Sequence, residues 1–118
     1  MEDCIFCKIA NQEIQTDFLY EDELVVAFED SAPIAPVHIL LITKEHIESI
    51  AHLPKDEKGE IISGRLVTVA QELAEKLGIS KKGYKLLFRV GEHGGQEVPH
   101  IHLHLIGGAK FNEDIRPY

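Results

Sequence analysis

Ile62, Leu66, Val69, Leu73 and Leu77 recur at three- and four-residue steps. That spacing makes one apolar stripe and predicts a single long helix over residues 56–77. Asp56 is placed to cap its start, after Pro54, and Gly78 stands where a left-handed C-terminal stop belongs. Gly59 and Gly64 fall inside it, each weakening a helix by about 1 kcal/mol relative to alanine, so packing has to hold it. Residues 4–10 read as a short helix with Asp3 as its N-cap. Elsewhere the pattern is that of strands. Residues 18–20 and 24–28 flank the polar turn Glu21-Asp22-Glu23, residues 38–43 form a nearly continuous apolar run, and residues 84–90 follow Gly83. Pro33 and Pro36 restrict the residues before them and mark the loop that begins at Asp30.

The last strand has a different pattern: His100-Ile101-His102-Leu103-His104-Leu105-Ile106, closed by Gly107-Gly108. Alternation sends the three histidines to one face and Ile101, Leu103 and Leu105 to the other, where they can anchor the strand in a core. The order strand-strand-strand-helix-strand-strand predicts the α+β class. The expected fold is a mostly antiparallel five-stranded sheet with one long helix on a face and a short N-terminal helix. Spare apolar surface would be hidden most simply in a two-fold dimer.

Bulk properties narrow the function classes. A chain of 118 residues makes one domain, expected over 1–118, large enough for a real core. A formal net charge of −8 argues against nucleic acid or anionic membranes as partners, yet leaves room for a small anionic ligand at a locally positive site. No apolar run approaches the roughly 20 residues of a membrane span. Met1-Glu2-Asp3 opens no signal peptide, so a cytoplasmic location is expected, where Cys4 and Cys7 would not form a structural disulfide.

The chemistry concentrates around the histidine strand. Its imidazoles, roughly 7 Å apart from the rise of a strand, could bind a metal, attack an electrophile or donate to an anion. The plainer reading is a solvated histidine face. Cys4-x-x-Cys7 on a helix puts two sulfurs on one side, and zinc needs two more ligands, for which His46 and His100 are candidates. Two buried cysteines without a metal remain the alternative. Glycines in Gly94-Gly95-Gln96-Glu97-Val98 would let backbone N–H groups approach a phosphate, although such loops are often plain turns. His102, mid-strand and largely neutral near pH 7, is the nucleophile candidate, and His104 a donor to phosphate oxygens. His52 and His93 read as surface residues and His38 as structural.

These residues resemble the histidine-triad proteins, marked by His-x-His-x-His followed by two apolar residues. Cys4-Ile5-Phe6-Cys7, Phe28-Glu29-Asp30, Pro36-Val37-His38, Lys44-Glu45-His46-Ile47 and Gly94-Gly95-Gln96 fall in family order, so the resemblance covers nearly the whole chain. The glycine loop and Gly107-Gly108 are similar to the histidine-triad nucleotide-binding branch. The resemblance implies a homodimer whose sheets join into one. It also implies a purine nucleoside monophosphate or phosphoramidate ligand, and hydrolysis of nucleoside phosphoramidates through a covalent nucleotidyl-histidine. On it, His102 is the nucleophile and His104 the phosphate contact. Asp30, followed by Ser31, holds the ribose, and Ile5, Phe6 and Phe28 line the base pocket. Gly95, Gln96 and Glu97 meet the α-phosphate, and structural zinc sits on Cys4, Cys7, His46 and His100, with no organic cofactor.

Two positions depart from that pattern. Arg89 stands where many relatives carry asparagine, either gripping phosphate or pairing with an acidic neighbour. Glu97 replaces a serine, so only its backbone N–H suits a phosphate. Rival readings are a dinucleoside polyphosphate hydrolase or nucleotidyl transferase, a nucleotide-binding regulator with vestigial catalysis, and a purely metal-binding protein.

Overall fold

Leu41, Ile42, Leu103 and Leu105 are almost wholly buried because the two strands carrying them lie in the middle of a sheet covered on both faces. The computed structural model describes residues 3–118; Met1 and Glu2, at the signal-free start expected from the sequence, lie outside the described residues. The strands are β1 (Tyr20–Glu21), β2 (Val25–Glu29), β3 (Val37–Thr43), β4 (Tyr84–Leu87) and β5 (His102–Gly107), with helices α1 (Ile5–Ala10) and α2 (Glu57–Lys76). They form one sheet in the order β1-β2-β3-β5-β4, every neighbour antiparallel.

Register decides which residues go where. Val25, Ala27, Ile39, Leu41, Leu103 and Leu105 face α2 and meet Ile62, Leu66, Val69 and Leu73. The opposite face, with Val26, Phe28, Leu40 and Ile42, is capped by Phe6, Cys7 and Ile9 of α1. His102 pairs with Ile42 and His104 with Leu40, so both histidines belong to the α1 face. Because α1 has only six residues, it leaves them half-buried.

Several elements are shorter than the pattern implies. β4 ends at Leu87, not at residue 90, because its ladder with β5 runs only from Tyr84–Gly107 to Leu87–His104. His102 therefore has a strand neighbour on one side only. β5 itself starts at His102, two residues after the alternation begins. β1 is reduced to two residues at a sheet edge, set by a turn in which Asp22 Oδ1 accepts from Leu24 N at 2.7 Å and Val25 N at 2.9 Å. Tyr20 OH and Arg65 of α2 donate to the other oxygen. Burial works to raise this carboxyl, but the bonds from Tyr20, the two amides and Arg65 hold it down to about 2.

The N-cap of α1 is Cys4, whose sulfur accepts from Cys7 N at 3.4 Å; Asp3 does not fill that place. Asp56 caps α2 through Gly59 N, and Gly78 takes the left-handed φ of +75° after its end. Leu77 is the C-cap residue and is exposed, so the buried stripe stops at Ala74. Among the described residues, no helix is long and apolar enough to cross a membrane.

The two helix glycines have different surroundings. A β-carbon on Gly59 would collide with the Pro54 carbonyl oxygen, whereas nothing among the described residues lies within 4 Å of one on Gly64. Gly59→Ala should therefore lower stability by about 1–3 kcal/mol despite alanine's better helix propensity, measured as a lower urea midpoint at unchanged slope.

Candidate functional site

Two clusters of histidines flank the start of β5, and they differ in what their ring nitrogens meet. In the first, Cys4 Sγ and Cys7 Sγ lie 3.3 and 3.5 Å from His100 Nδ1, and Cys7 Sγ lies 3.2 Å from His46 Nδ1. His100 is completely buried, and its Nε2–H donates to Thr43 O at 2.7 Å, with Thr43 Oγ1 at 3.2 Å. The proton is thus on Nε2, and the Nδ1 lone pair points at the sulfurs. A zinc-ligating histidine needs that arrangement: one nitrogen free, the other held by a carbonyl. Tetrahedral zinc with two sulfur and two nitrogen ligands has ligand–ligand edges of about 3.4–3.8 Å. The four donor atoms lie within 4.8 Å of one another and fit such an ion after small shifts. Burial, with the Cys4 sulfur alongside, pushes the Cys7 thiol up to about 11, so a cation is needed to bring it to thiolate.

The second cluster joins Asp30, His38 and His104. Here Ile34 N–H donates to His38 Nδ1 at 3.2 Å, which puts the His38 proton on Nε2. That Nε2 lies 2.9 Å from His104 Nδ1 and 3.4 Å from Asp30 Oδ2. His104 Nδ1 is therefore the acceptor, and its proton sits on Nε2. With the His38 lone pair spent on a backbone amide, this triad is a hydrogen-bonded relay and does not suit a metal. Burial first, then the charges of His102, His38 and Arg89, lowers His104 to about 4, so it is a neutral donor at pH 7.

Between the clusters stands His102. Its Nδ1–H donates to the His100 carbonyl at 2.8 Å, which leaves the Nε2 lone pair free. Its ring centroid is 5.1 Å from that of His104 and 5.0 Å from that of Phe6. The two rings lean closer than the roughly 7 Å of the strand repeat. Phe6 and Phe28 are buried with centroids 6.3 Å apart and form an apolar floor, while Ile5 is exposed at its edge. Asp30 Oδ1 accepts from Ala32 N at 2.8 Å and closes an exposed turn containing Ser31, whose side chain makes no hydrogen bond within the described residues.

The glycine loop is more tied up than its composition suggests. Gly95 N–H donates to Glu92 O and Gln96 N–H to Gly91 O, both at 3.0 Å, so neither is free for a phosphate. The Gln96 side chain is also engaged: Nε2 donates to Glu48 O at 2.6 Å and Val98 O at 3.0 Å, and Oε1 accepts from Gly91 N. Gln96 thus pins the loop. The N–H groups of Glu97 and Val98 carry no hydrogen bond within the described residues. Glu97 itself is exposed. Arg89 is exposed and pairs with no carboxylate among the described residues; its Cδ lies 3.5 Å from where a Gly95 β-carbon would be.

His38 is the residue that the sequence reading undervalued. It is structural in being buried, but it also sets the tautomer of His104. The signal was present, since His38, Leu40 and Ile42 alternate onto one face of an antiparallel partner of the histidine strand. The sequence names the loop through Val98 but does not single out its N–H, because a free backbone N–H leaves no trace in side-chain identity. His52 and His93 are exposed, as their polar surroundings imply.

Residues 11–111 match the family model described as HIT domain. The chain is 45% identical over 107 residues to the purine nucleoside phosphoramidase of Escherichia coli K12, covering 91% of this chain and 88% of that protein. A histidine triad protein from Clostridium difficile superposes with a TM-score of 0.89 at 40% identity, covering 97% of each chain. A HIT family hydrolase from Clostridium thermocellum superposes equally well, at 41% identity over 98% of this chain and 99% of that one.

The neutral state of His104 has a consequence for stability. Its ordinary value of 6.5 falls to about 4 on folding, and His100 moves the same way through burial. Between those values the unfolded chain binds protons that the folded chain refuses. Stability should be full above pH 6.5 and should fall as pH drops toward about 4, read from urea midpoints across that window. His104→Asn should flatten part of that slope.

Proposed function

This chain belongs to the HIT domain family, and from that premise we propose that it hydrolyses purine nucleoside phosphoramidates in two steps through His102. The observation that carries the reading is the fixed tautomer of His102: Nδ1–H is held by a carbonyl and Nε2 is left bare beside a neutral donor. The activity in the name of the Escherichia coli relative supports it.

In the first step His102 Nε2 forms a bond to the α-phosphorus, and the P–N bond breaks as the amine leaves with a proton drawn from solvent. In the second, water attacks the same phosphorus and returns one proton to solvent, and the nucleoside monophosphate departs with His102 restored. Splitting one displacement into two easier ones is the gain from covalent catalysis. His104 donates Nε2–H to the phosphate oxygens, with Asp30 and His38 holding that tautomer. The N–H groups of Glu97 and Val98 and the Arg89 guanidinium add donors, giving an anion site within a chain of net charge −8. The base lies in the apolar slot of Ile5, Phe6 and Phe28, and the ribose hydroxyls donate to Asp30. Cys4, Cys7, His46 and His100 would hold zinc in a site closed by four protein ligands, which makes that ion structural.

The working unit is a homodimer of single HIT domains, each over 1–118, in the cytoplasm. The free edge of β4 supports it, as does a face of α2 where exposed Ile61 and Val67 stand three residues to either side of Gly64. A glycine mid-helix weakens the helix, and nothing among the described residues needs its space. Close approach of a second copy would use it.

Two experiments test these readings. His102→Ala should lose adenosine phosphoramidate turnover by at least about 10⁴-fold while adenylate binding stays, and quenched wild type should carry an adenylyl mass on the peptide containing His102. Turnover on diadenosine polyphosphate with none on phosphoramidates would move the substrate class. Gly64→Leu should convert the dimer to monomer in sedimentation; a wild type that is already monomeric refutes the dimer.

A further inference from the structure

The cysteine–histidine cluster and the nucleophile are linked by one residue. His100 gives its ring to the cluster and its backbone carbonyl to His102 Nδ1 at 2.8 Å. That carbonyl accepts no backbone N–H among the described residues, since the β3–β5 ladder begins only at His102 and Ile42. No strand neighbour fixes it. Its place is set by His100 N–H donating to Val98 O, by Ile101 N–H donating to Ile47 O, and by the buried ring in the cluster. Ile47 itself follows His46, another member of the cluster. The hydrogen-bond acceptor that chooses the tautomer of His102 is therefore held by two backbone bonds, one of them to the neighbour of His46, and by a ring that belongs to one prospective metal position.

A second linkage runs through α1. Phe6 lies between Cys4 and Cys7, and its ring stands 5.0 Å from that of His102 and 5.9 Å from that of His100. With both sulfurs drawn to one ion, α1 would be fixed against the sheet and Phe6 held on the flank of the nucleophile. Thr43 completes the support by accepting from His100 Nε2 with its carbonyl and hydroxyl.

We propose that the Cys4–Cys7–His46–His100 cluster is a positioning device for His102: metal occupancy sets how fast the nucleophile attacks, through the His100 carbonyl and Phe6, and changes rate far more than nucleotide affinity. This deepens the hydrolase reading and rests on it. A plain staple predicts something else, namely that loss of metal loosens the fold and lowers binding and chemistry together. Positioning separates them in degree. Ile5 and Phe6 of the base slot lie on α1 and loosen with the sulfurs, but the phosphate donors Glu97, Val98 and His104 and the floor residue Phe28 belong to other segments, so the larger loss falls on the attack. A misplacement of about 1 Å at a reacting atom is enough to cost about a hundredfold.

The test compares zinc-loaded, chelator-stripped and reloaded protein. Nitrogen-15 NMR of the His102 imidazole reads the tautomer without any turnover: loaded protein should show Nδ1–H alone, stripped protein a mixture, and reloading should restore the first. Adenylate affinity by calorimetry should stay within about threefold, while single-turnover adenylylation by adenosine phosphoramidate falls about 10- to 100-fold. An unchanged tautomer in stripped protein overturns the proposal, and so do parallel losses of affinity and rate in a chain that is still folded by circular dichroism. If the stripped chain unfolds, Thr43→Val decides. It keeps all four cluster residues but removes one acceptor from His100, and should lower adenylylation about two- to fivefold at unchanged adenylate affinity; no change refutes the coupling. Failure of the loaded wild type to adenylylate at all would sink the hydrolase reading, while the tautomer comparison would still decide the positioning.

Discussion

Leu103 and Leu105 lock β5 between β3 and α2, and the rest of the site depends on that lock. Both are completely buried, and each contributes about 2 kcal/mol through removal from water. A one-residue slip of register would exchange them with His102 and His104. It would then bury two imidazoles in an apolar core and expose two leucines. The core on the α2 face thus determines which side of β5 the histidines occupy, although no histidine is part of that core.

On the other face, the short α1 covers the sheet only in part. The face it leaves open is bordered by the loop at Asp30 and the glycine loop before β5. β4 turns away at Leu87, so His102 lacks a neighbour on that side as well. Access to His102 comes from elements that stop early, one helix of six residues and one strand of four. Within this gap, backbone groups assign the chemistry. Thr43 O holds the His100 proton on Nε2, and Ile34 N–H does the same for His38 by occupying its Nδ1. One imidazole then turns a lone pair toward the two sulfurs, and the other donates a hydrogen bond to His104. Identical side chains take opposite roles because one meets a carbonyl and the other an amide.

Much of the fold was legible in the chain. The stripe from Ile62 to Leu73, Asp56 and Gly78 marked α2 to within a residue at each end, because a long amphipathic helix repeats its signal many times. The strands were legible as existing but not in extent: β4 was read three residues too long, since Phe88, Arg89 and Val90 look no different from ladder residues. Asp3 has the chemistry of a cap, yet Cys4 fills the place, since its sulfur is already held at the helix start by the cluster with His46 and His100. A cap preference is weak against that tertiary contact.

By itself the sequence determined the alternation in β5, the spacing of the two cysteines and the periodicity of α2, and with them the α+β class and the face on which the histidines lie. Those are local properties, written into neighbours a few residues apart. Tertiary structure alone decided that Gln96 pins its loop while Glu97 and Val98 keep N–H groups free among the described residues, and that Ile34 N–H fixes the tautomer of His38. It also decided that the His100 carbonyl faces His102. Each of these turns on which backbone amide or carbonyl a group meets across 40 or more residues or around a tight turn, and every residue carries the same amide and carbonyl. Side-chain identity cannot record such a choice; only the packed chain makes it.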